Sequence, residues 1–362
     1  MHFIDLAQQQ KKIKALLDTN MAKILDHGLY IKGPEVKALE ESLCHYSGAK
    51  HAIACANGTD ALQIALMALD LKPGDEVITT PFTFIATGEV IILLGLKPVF
   101  VDIDPQTYNI DANKIEDKIT KNTRVILPVS LYGQCADMDV INAIAEKYNL
   151  VVIEDGAQSF GAEYHGKKSC NLSSLSTTSF FPSKPLGCYG DGGMVFTSDQ
   201  KLADKLRMIA NHGQEKRYCH TLVGINSRLD TLQAAVLLAK MSLFKDEVQQ
   251  RAEIGARYSK SLQQHVKTTV VKKNHTSVYA QYTIEVENRD DFCLKLKTAG
   301  IPTAVHYPQP LHLQPVFQYL GGKEGDLPVT EKASKHVVSL PMHPYLCPKD
   351  QDFIVQTVKE AI

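Results

Sequence analysis

The chain has 362 residues, 44% hydrophobic and 22% charged, the composition of an ordinary globular protein with two domains rather than one. Lys plus Arg number 39 against 40 for Asp plus Glu, a formal charge of -1, which leaves no electrostatic footprint for nucleic acid or a membrane surface. Eight scattered cysteines include no Cys-x-x-Cys pair, so zinc and thioredoxin-type chemistry have no starting point, no metal site is expected, and free thiols of a reducing cytoplasm are.

In chain order, Met1-His2-Phe3-Ile4-Asp5 lacks the basic and then apolar pattern of a secretory signal. Helix is expected over Asp60–Leu69. Strands are expected at Glu76–Thr80, Pro98–Asp102, Arg124–Val129 and Leu150–Asp155, each nearly continuously apolar, as strands buried on both faces of a parallel sheet are. The apolar stretch Val90–Val101 is broken by Gly95, Lys97 and Pro98 and is too short to span a bilayer. A helical pattern over Asp139–Tyr148 completes a doubly wound α/β layout. Ser227-Arg228-Leu229-Asp230 reads as a capping box that starts a helix at Ser227. Beyond about residue 245 the texture changes: Val278–Val286 alternates as a strand with one covered face would, and the helical stretch Asp290–Ala299 follows. The expected organisation is a large α/β domain over 1–245 and a smaller α+β domain over 246–362.

Four segments carry candidate chemistry. Ala56-Asn57-Gly58-Thr59-Asp60 is a small-residue turn opening a helix, where free amides and the Thr59 hydroxyl make a phosphate cradle; Asn57 or Thr59 capping that helix is the plainer reading. Pro81-Phe82-Thr83-Phe84-Ile85-Ala86-Thr87 offers aromatic faces for stacking, or for the core. Asp155 closes a buried strand, beyond whose carboxyl end ligands of such sheets bind; it could hold a pyridine nitrogen protonated, with Gln158 three residues on, or simply cap a helix. Ser179–Gly187 ends an apolar approach at Lys184, with Gly190-Asp191-Gly192-Gly193 behind it. A lysine that forms a Schiff base must be held at fixed reach and be able to lose its proton, which burial favours; an exposed lysine before a glycine-rich hairpin is the alternative.

Taken in order, cradle, aromatic, strand-end aspartate and lysine resemble the DegT/StrS-type sugar-nucleotide aminotransferases, from Phe3-Ile4-Asp5-Leu6 to Ser339-Leu340-Pro341-Met342-His343-Pro344. Segments such as Val129–Asp137, Asn226–Ala235 and Pro302–Pro308 most resemble the aminotransferases acting on UDP-2-acetamido-2-deoxy-3-oxo-glucuronate for surface-polysaccharide (O-antigen, lipopolysaccharide) synthesis. The resemblance implies the fold-type-I, aspartate-aminotransferase-like architecture and pyridoxal phosphate as cofactor, with its pyridoxamine form as intermediate. It also implies glutamate as amino donor, a nucleotide-linked keto sugar as acceptor, and ping-pong kinetics.

By that resemblance Lys184 is the Schiff-base lysine and Asp155 the partner of the pyridine nitrogen. Gln158 lies on the ring-hydroxyl side, Gly58, Thr59 and Ser179 hold the phosphate, and Phe84 stacks on the ring. Asn226 matches a residue that reaches the phosphate from the neighbouring subunit, which implies a homodimer with shared sites. Arg228, His306 and Tyr307 lie in segments near the sugar nucleotide; a surface arginine in a first helical turn is the other reading of Arg228. Lys32 departs from the neutral residue the family pattern leads one to expect.

Other readings are an aminotransferase for another 3-keto or 4-keto dTDP- or UDP-sugar, a sugar dehydratase, and a non-catalytic regulator on the same fold. Some of those dehydratases carry histidine in place of Lys184, and a regulator is expected to lose Lys184, Asp155 or the cradle. An oxidoreductase would need Gly-x-Gly-x-x-Gly after the first strand, where none occurs.

Overall fold

The apolar runs do form the interior of a sheet. In the computed structural model, which describes residues 1–362, the strands in chain order begin with β1 (His51–Cys55), β2 (Glu76–Thr79), β3 (Lys97–Phe100), β4 (Thr123–Leu127) and β5 (Val151–Asp155). A short hairpin, β6 (Glu163–Tyr164) and β7 (Lys167–Lys168), precedes β8 (Leu175–Ser179) and β9 (Gly193–Thr197). Seven of these make one sheet in the order β1-β9-β8-β5-β4-β2-β3, parallel throughout except for β9, which runs against both neighbours.

Both faces are covered, and successive residues of one strand serve different cores. Val77, Val125 and Ile153 point to a cluster with Leu62 and Val90, from helices α3 (Gly58–Met67) and α4 (Ile85–Leu93). Ile78, Ile126 and Val152 point to another with Ile141 and Ile144 of α5 (Met138–Tyr148). At the β1 end, α1 (Leu6–His27), α2 (Pro34–Ser47) and the long α7 (Thr231–Leu262) pack together through Ile13, Leu39 and Leu237. Helix α6 (Gln200–Ile209) covers β1 and β9. No helix is long and apolar enough to cross a membrane.

After a second hairpin, β10 (Gln214–Lys216) and β11 (Cys219–His220), the C-terminal third builds its own three-stranded antiparallel sheet from β12 (Lys267–Thr268), β13 (Tyr282–Glu285) and β14 (Val337–Leu340). Ile284 and Val338 join Leu296 of α8 (Arg289–Thr298), Ile354 of the last helix (Pro348–Ala361) and Tyr258 of α7 in a separate core.

Position 245 falls inside α7, one helix whose Leu237 belongs to the large core and whose Tyr258 belongs to the small one. Two expectations are corrected. That helix starts at Thr231, not Ser227: the buried Ser227 hydroxyl accepts from the Ala56 N–H at 3.1 Å, a tertiary contact that removes it from capping. Finally, β13 is buried on both faces, Thr283 included. It is the middle strand of its sheet, and Thr283 and Ser339 share a hydrogen bond at 3.0 Å on the side that carries His306.

Candidate active site

Parallel strands end at a common edge, so the sheet delivers its strand-end residues to one place. There, β5 closes on Asp155, β8 closes on Ser179, β1 runs into α3, and β2 runs into α4 past Phe84. At the start of α3, Asn57 Oδ1 accepts from the Asp60 N–H at 2.8 Å. The two preceding amides, of Gly58 and Thr59, have no partner within the helix by its geometry. Gly58 lies against Ser179: a Cβ there would come within 2.6 Å of the Ser179 Cβ. Two amides at the positive end of a helix dipole and a serine hydroxyl thus face one spot, an arrangement suited to a phosphate.

Asp155 is 4% exposed. Its Oδ2 accepts from the Thr87 hydroxyl at 3.0 Å and its Oδ1 from the Ala157 N–H at 3.1 Å. Burial raises its pKa, against the Ala157 N–H and the attraction of Lys184. Lys184 stands on a loop just after β8, where burial lowers its ammonium and Asp155 opposes. The lysine is therefore closer to giving up its proton than a surface lysine.

Gln158 is fixed at both ends: its Oε1 accepts from the Tyr132 N–H at 2.9 Å and its Nε2 donates to the Tyr307 hydroxyl at 3.1 Å. Tyr132 takes a left-handed conformation, φ 57°, to present that amide, and its hydroxyl donates to the His306 carbonyl. His306 Nδ1 pairs with the Ser339 hydroxyl at 3.0 Å. Burial and the nearby Lys184 depress its imidazole to about 4, so it is neutral at ordinary pH. The small sheet therefore supplies one wall of the site through Ser339, His306 and Tyr307. Phe84 is 56% exposed, its ring 6.3 Å from that of Tyr307.

Nine of the eleven residues singled out from the sequence converge here: Lys184, Asp155, Gln158, Gly58, Thr59, Ser179, Phe84, His306 and Tyr307. Of the other two, Asn226 is exposed, and Arg228 lines a separate cavity of about 350 Å³ behind β1, with Lys32, Lys37 and Arg207. In that cavity Arg207 is paired with Glu40 at 2.8 Å. Thr87, Tyr132 and Ser339 had no assigned role in the sequence reading. Only Thr87 left a trace there, since Thr83 and Thr87 are four apart at the start of a helix and share a face, with their hydroxyls 3.1 Å apart.

The donor set suits pyridoxal phosphate: a deprotonatable lysine, a buried carboxylate for the ring nitrogen, and a helix N-terminus with Ser179 for the phosphate. Comparison with known proteins agrees. The model of the DegT/DnrJ/EryC1/StrS aminotransferase family matches residues 11–359. A UDP-2-acetamido-2-deoxy-3-oxo-D-glucuronate aminotransferase of Pseudomonas aeruginosa is 57% identical over 347 residues, 96% of either chain. A pleiotropic regulatory protein of Geobacillus stearothermophilus is 47% identical over 99% of this chain and 97% of its own. NtdA of Bacillus subtilis, solved with its cofactor PMP bound, superposes with a TM-score of 0.93 at 32% identity, over all of this chain and 85% of that one. The chain belongs to the DegT/DnrJ/EryC1/StrS aminotransferase family and is a pyridoxal-phosphate-dependent enzyme.

Proposed function

We propose that the protein moves an amino group from glutamate to UDP-2-acetamido-2-deoxy-3-oxo-D-glucuronate, in the cytoplasm, as a step of surface-polysaccharide synthesis. The observation that carries the choice of acceptor is the 57% identity to an aminotransferase of that substrate across nearly the whole of both chains. Sugar-nucleotide aminotransfer itself rests on the wider family match.

In this reading Lys184 is the covalent anchor of the cofactor and, once displaced by the donor, the base at its Nζ. It takes the proton from the donor Cα and returns one to the acceptor carbon in the second half of the cycle. Pyridoxal phosphate, when bound, supplies the electron sink. Asp155 would keep the ring nitrogen protonated, and Gln158, held by Tyr132 and Tyr307, would face the ring oxygen. Gly58, Thr59 and Ser179 would take the phosphate, and Phe84 would cover a ring face. The neutral His306 and Tyr307 line the sugar side, on the smaller C-terminal unit that α7 joins to the cofactor-binding unit.

Arg228 lines the cavity behind β1 rather than the Lys184 cluster, and Asn226 is exposed. We assign them to the site of a second copy: Asn226 on the cofactor phosphate, Arg228 on an anionic group of the acceptor. Subunit mixing tests this. In a heterodimer of K184A and N226A chains, one shared site has both defects and the other has none. Mixing two impaired parents should restore turnover at limiting cofactor; no recovery removes Asn226 from the shared site, and the same mixing with R228A in place of N226A decides Arg228.

The test of the reaction is isotopic. With ¹⁵N-glutamate and the 3-keto uronate, the sugar product should carry ¹⁵N. Label appearing only in the amino product of a 4-keto dTDP- or UDP-sugar would retain the reaction type and replace the acceptor. Elimination without label would indicate a dehydratase.

A further inference from the structure

Lys240 has no part in the chemistry above, yet it is only 1% exposed, in the middle of α7. Lysine is rarely buried so completely without a paired charge. Its Nζ instead donates to the main-chain carbonyl of Gly187 at 2.5 Å and lies 4.6 Å from the centroid of the Tyr189 ring.

Gly187 belongs to the loop that carries Lys184. That loop is pinched at its neck, where the Phe180 carbonyl accepts from the Cys188 N–H at 2.8 Å and the Phe180 N–H donates to Gly192 O at 2.8 Å. Inside the neck the Lys184 N–H turns back to Phe181 O at 2.9 Å. A Cβ on Gly187 would fall 2.6 Å from the carbonyl oxygens of both Phe181 and Pro182, so this is a tightly closed turn.

The contact is one of a series. Seven residues before Lys240, on the same helix face, Gln233 Oε1 accepts from the Tyr189 N–H at 2.8 Å. Seven residues after it, Glu247 accepts from Gln9 Nε2 at 2.9 and 3.0 Å and from the Tyr345 hydroxyl. Arg251, one turn further on, donates to Tyr279 O at 3.2 Å. A buried polar line on α7 therefore runs from the Lys184 loop to the small unit. Glu247 supports the Lys240 charge, which burial lowers to about 8.

We propose that Lys240 is a positioning residue for Lys184: its ammonium clamps the Gly187 carbonyl and fixes the reach of the reactive amine. This rests on the reading of Lys184 given above. A primary amine that shuttles a proton must sit within a few tenths of an ångström of its productive place. A displacement of about 1 Å can slow such a step ~10²-fold. Without the clamp, the Gly187 carbonyl would be left without its partner and the turn would be free to relax.

The test compares wild type with K240M, which keeps the stem and loses the donor, and K240Q, which keeps a donor. Four quantities are read: the single-turnover rate with glutamate, its KM, the pH midpoint of the cofactor's visible band, and the melting temperature. K240M should slow the single turnover about 10- to 100-fold at unchanged KM and move the band midpoint, and K240Q should recover most of the rate. Wild-type rates and midpoint in both variants, or equal loss of melting temperature in both with normal turnover of the folded fraction, would overturn the proposal. If K240M does not fold, Q233L carries the same test through the Tyr189 contact, with the same slowed turnover expected and an unchanged rate as the contrary result. Borohydride reduction and peptide mapping of the wild type separate the two claims: cofactor fixed to a residue other than Lys184 overturns the reading of Lys184 first.

Discussion

Thr87 and Ser339 are inconspicuous in the sequence, and each holds a residue that is not. The Thr87 hydroxyl is one of two donors to the buried Asp155 carboxylate. A hydrogen bond to a charged group contributes about 1.5–3 kcal/mol. T87V should therefore raise the Asp155 pKa further and weaken cofactor binding roughly 10-fold, as followed by cofactor titration of the apoprotein; unchanged affinity would mean that the Ala157 amide suffices. K184A should keep its fold and lose the covalent link, with turnover down by ~10²–10⁴-fold from loss of the base alone. Near-normal turnover would remove Lys184 from the mechanism. His306 and the buried His343 are both depressed to about 4, each chiefly by burial. The unfolded chain then takes up protons between about pH 6.5 and pH 4 that the folded chain refuses. Their contribution to stability is present above that window and is lost as pH falls through it, on the order of 2 kcal/mol for His343. The melting temperature should fall across this range, less steeply in H343Q; an identical slope would contradict the assignment. Apart from the spacing of Thr83 and Thr87, none of these partners was legible in the sequence, because each contact joins residues dozens of positions apart.

At the scale of elements, what was legible was local. The continuous apolar runs read as strands because both faces of the sheet are covered, and Asp155 stood out because it ends one of them. The Ser227 capping box failed because Ala56, on a distant element, takes the serine hydroxyl. The one-faced reading of Val278–Val286 failed because the second face of β13 backs the wall of the site. The approach of α3 to β8 depends on the missing side chain of Gly58. G58A places a methyl 2.6 Å from the Ser179 Cβ, so α3 must shift away and spoil the cradle. Cofactor affinity should fall more than the melting temperature does. A loss confined to melting temperature would detach the cradle from Gly58.

For the molecule as a whole, fold class, cofactor and reaction type could be read from the order of four short segments, since fold type and chemistry are tied together in this family. The proposed division of the site between copies rests on the resemblance alone, because Asn226 and Arg228 carry no local mark of the surface they would serve. The mixing experiment is informative because it separates the site of one copy from that of the other. The same holds for α7. A helix start was read near its beginning, but not its length, nor that its polar line would tie the reactive loop to the small unit.

The most direct measurement is the visible spectrum of the purified, cofactor-loaded protein during stepwise addition of glutamate and then of UDP-2-acetamido-2-deoxy-3-oxo-D-glucuronate made in situ. The band of the Lys184-linked cofactor should vanish with glutamate and return with the sugar, stoichiometrically. A band that glutamate leaves untouched, or that the sugar does not restore, would contradict the proposed donor or the proposed acceptor, respectively.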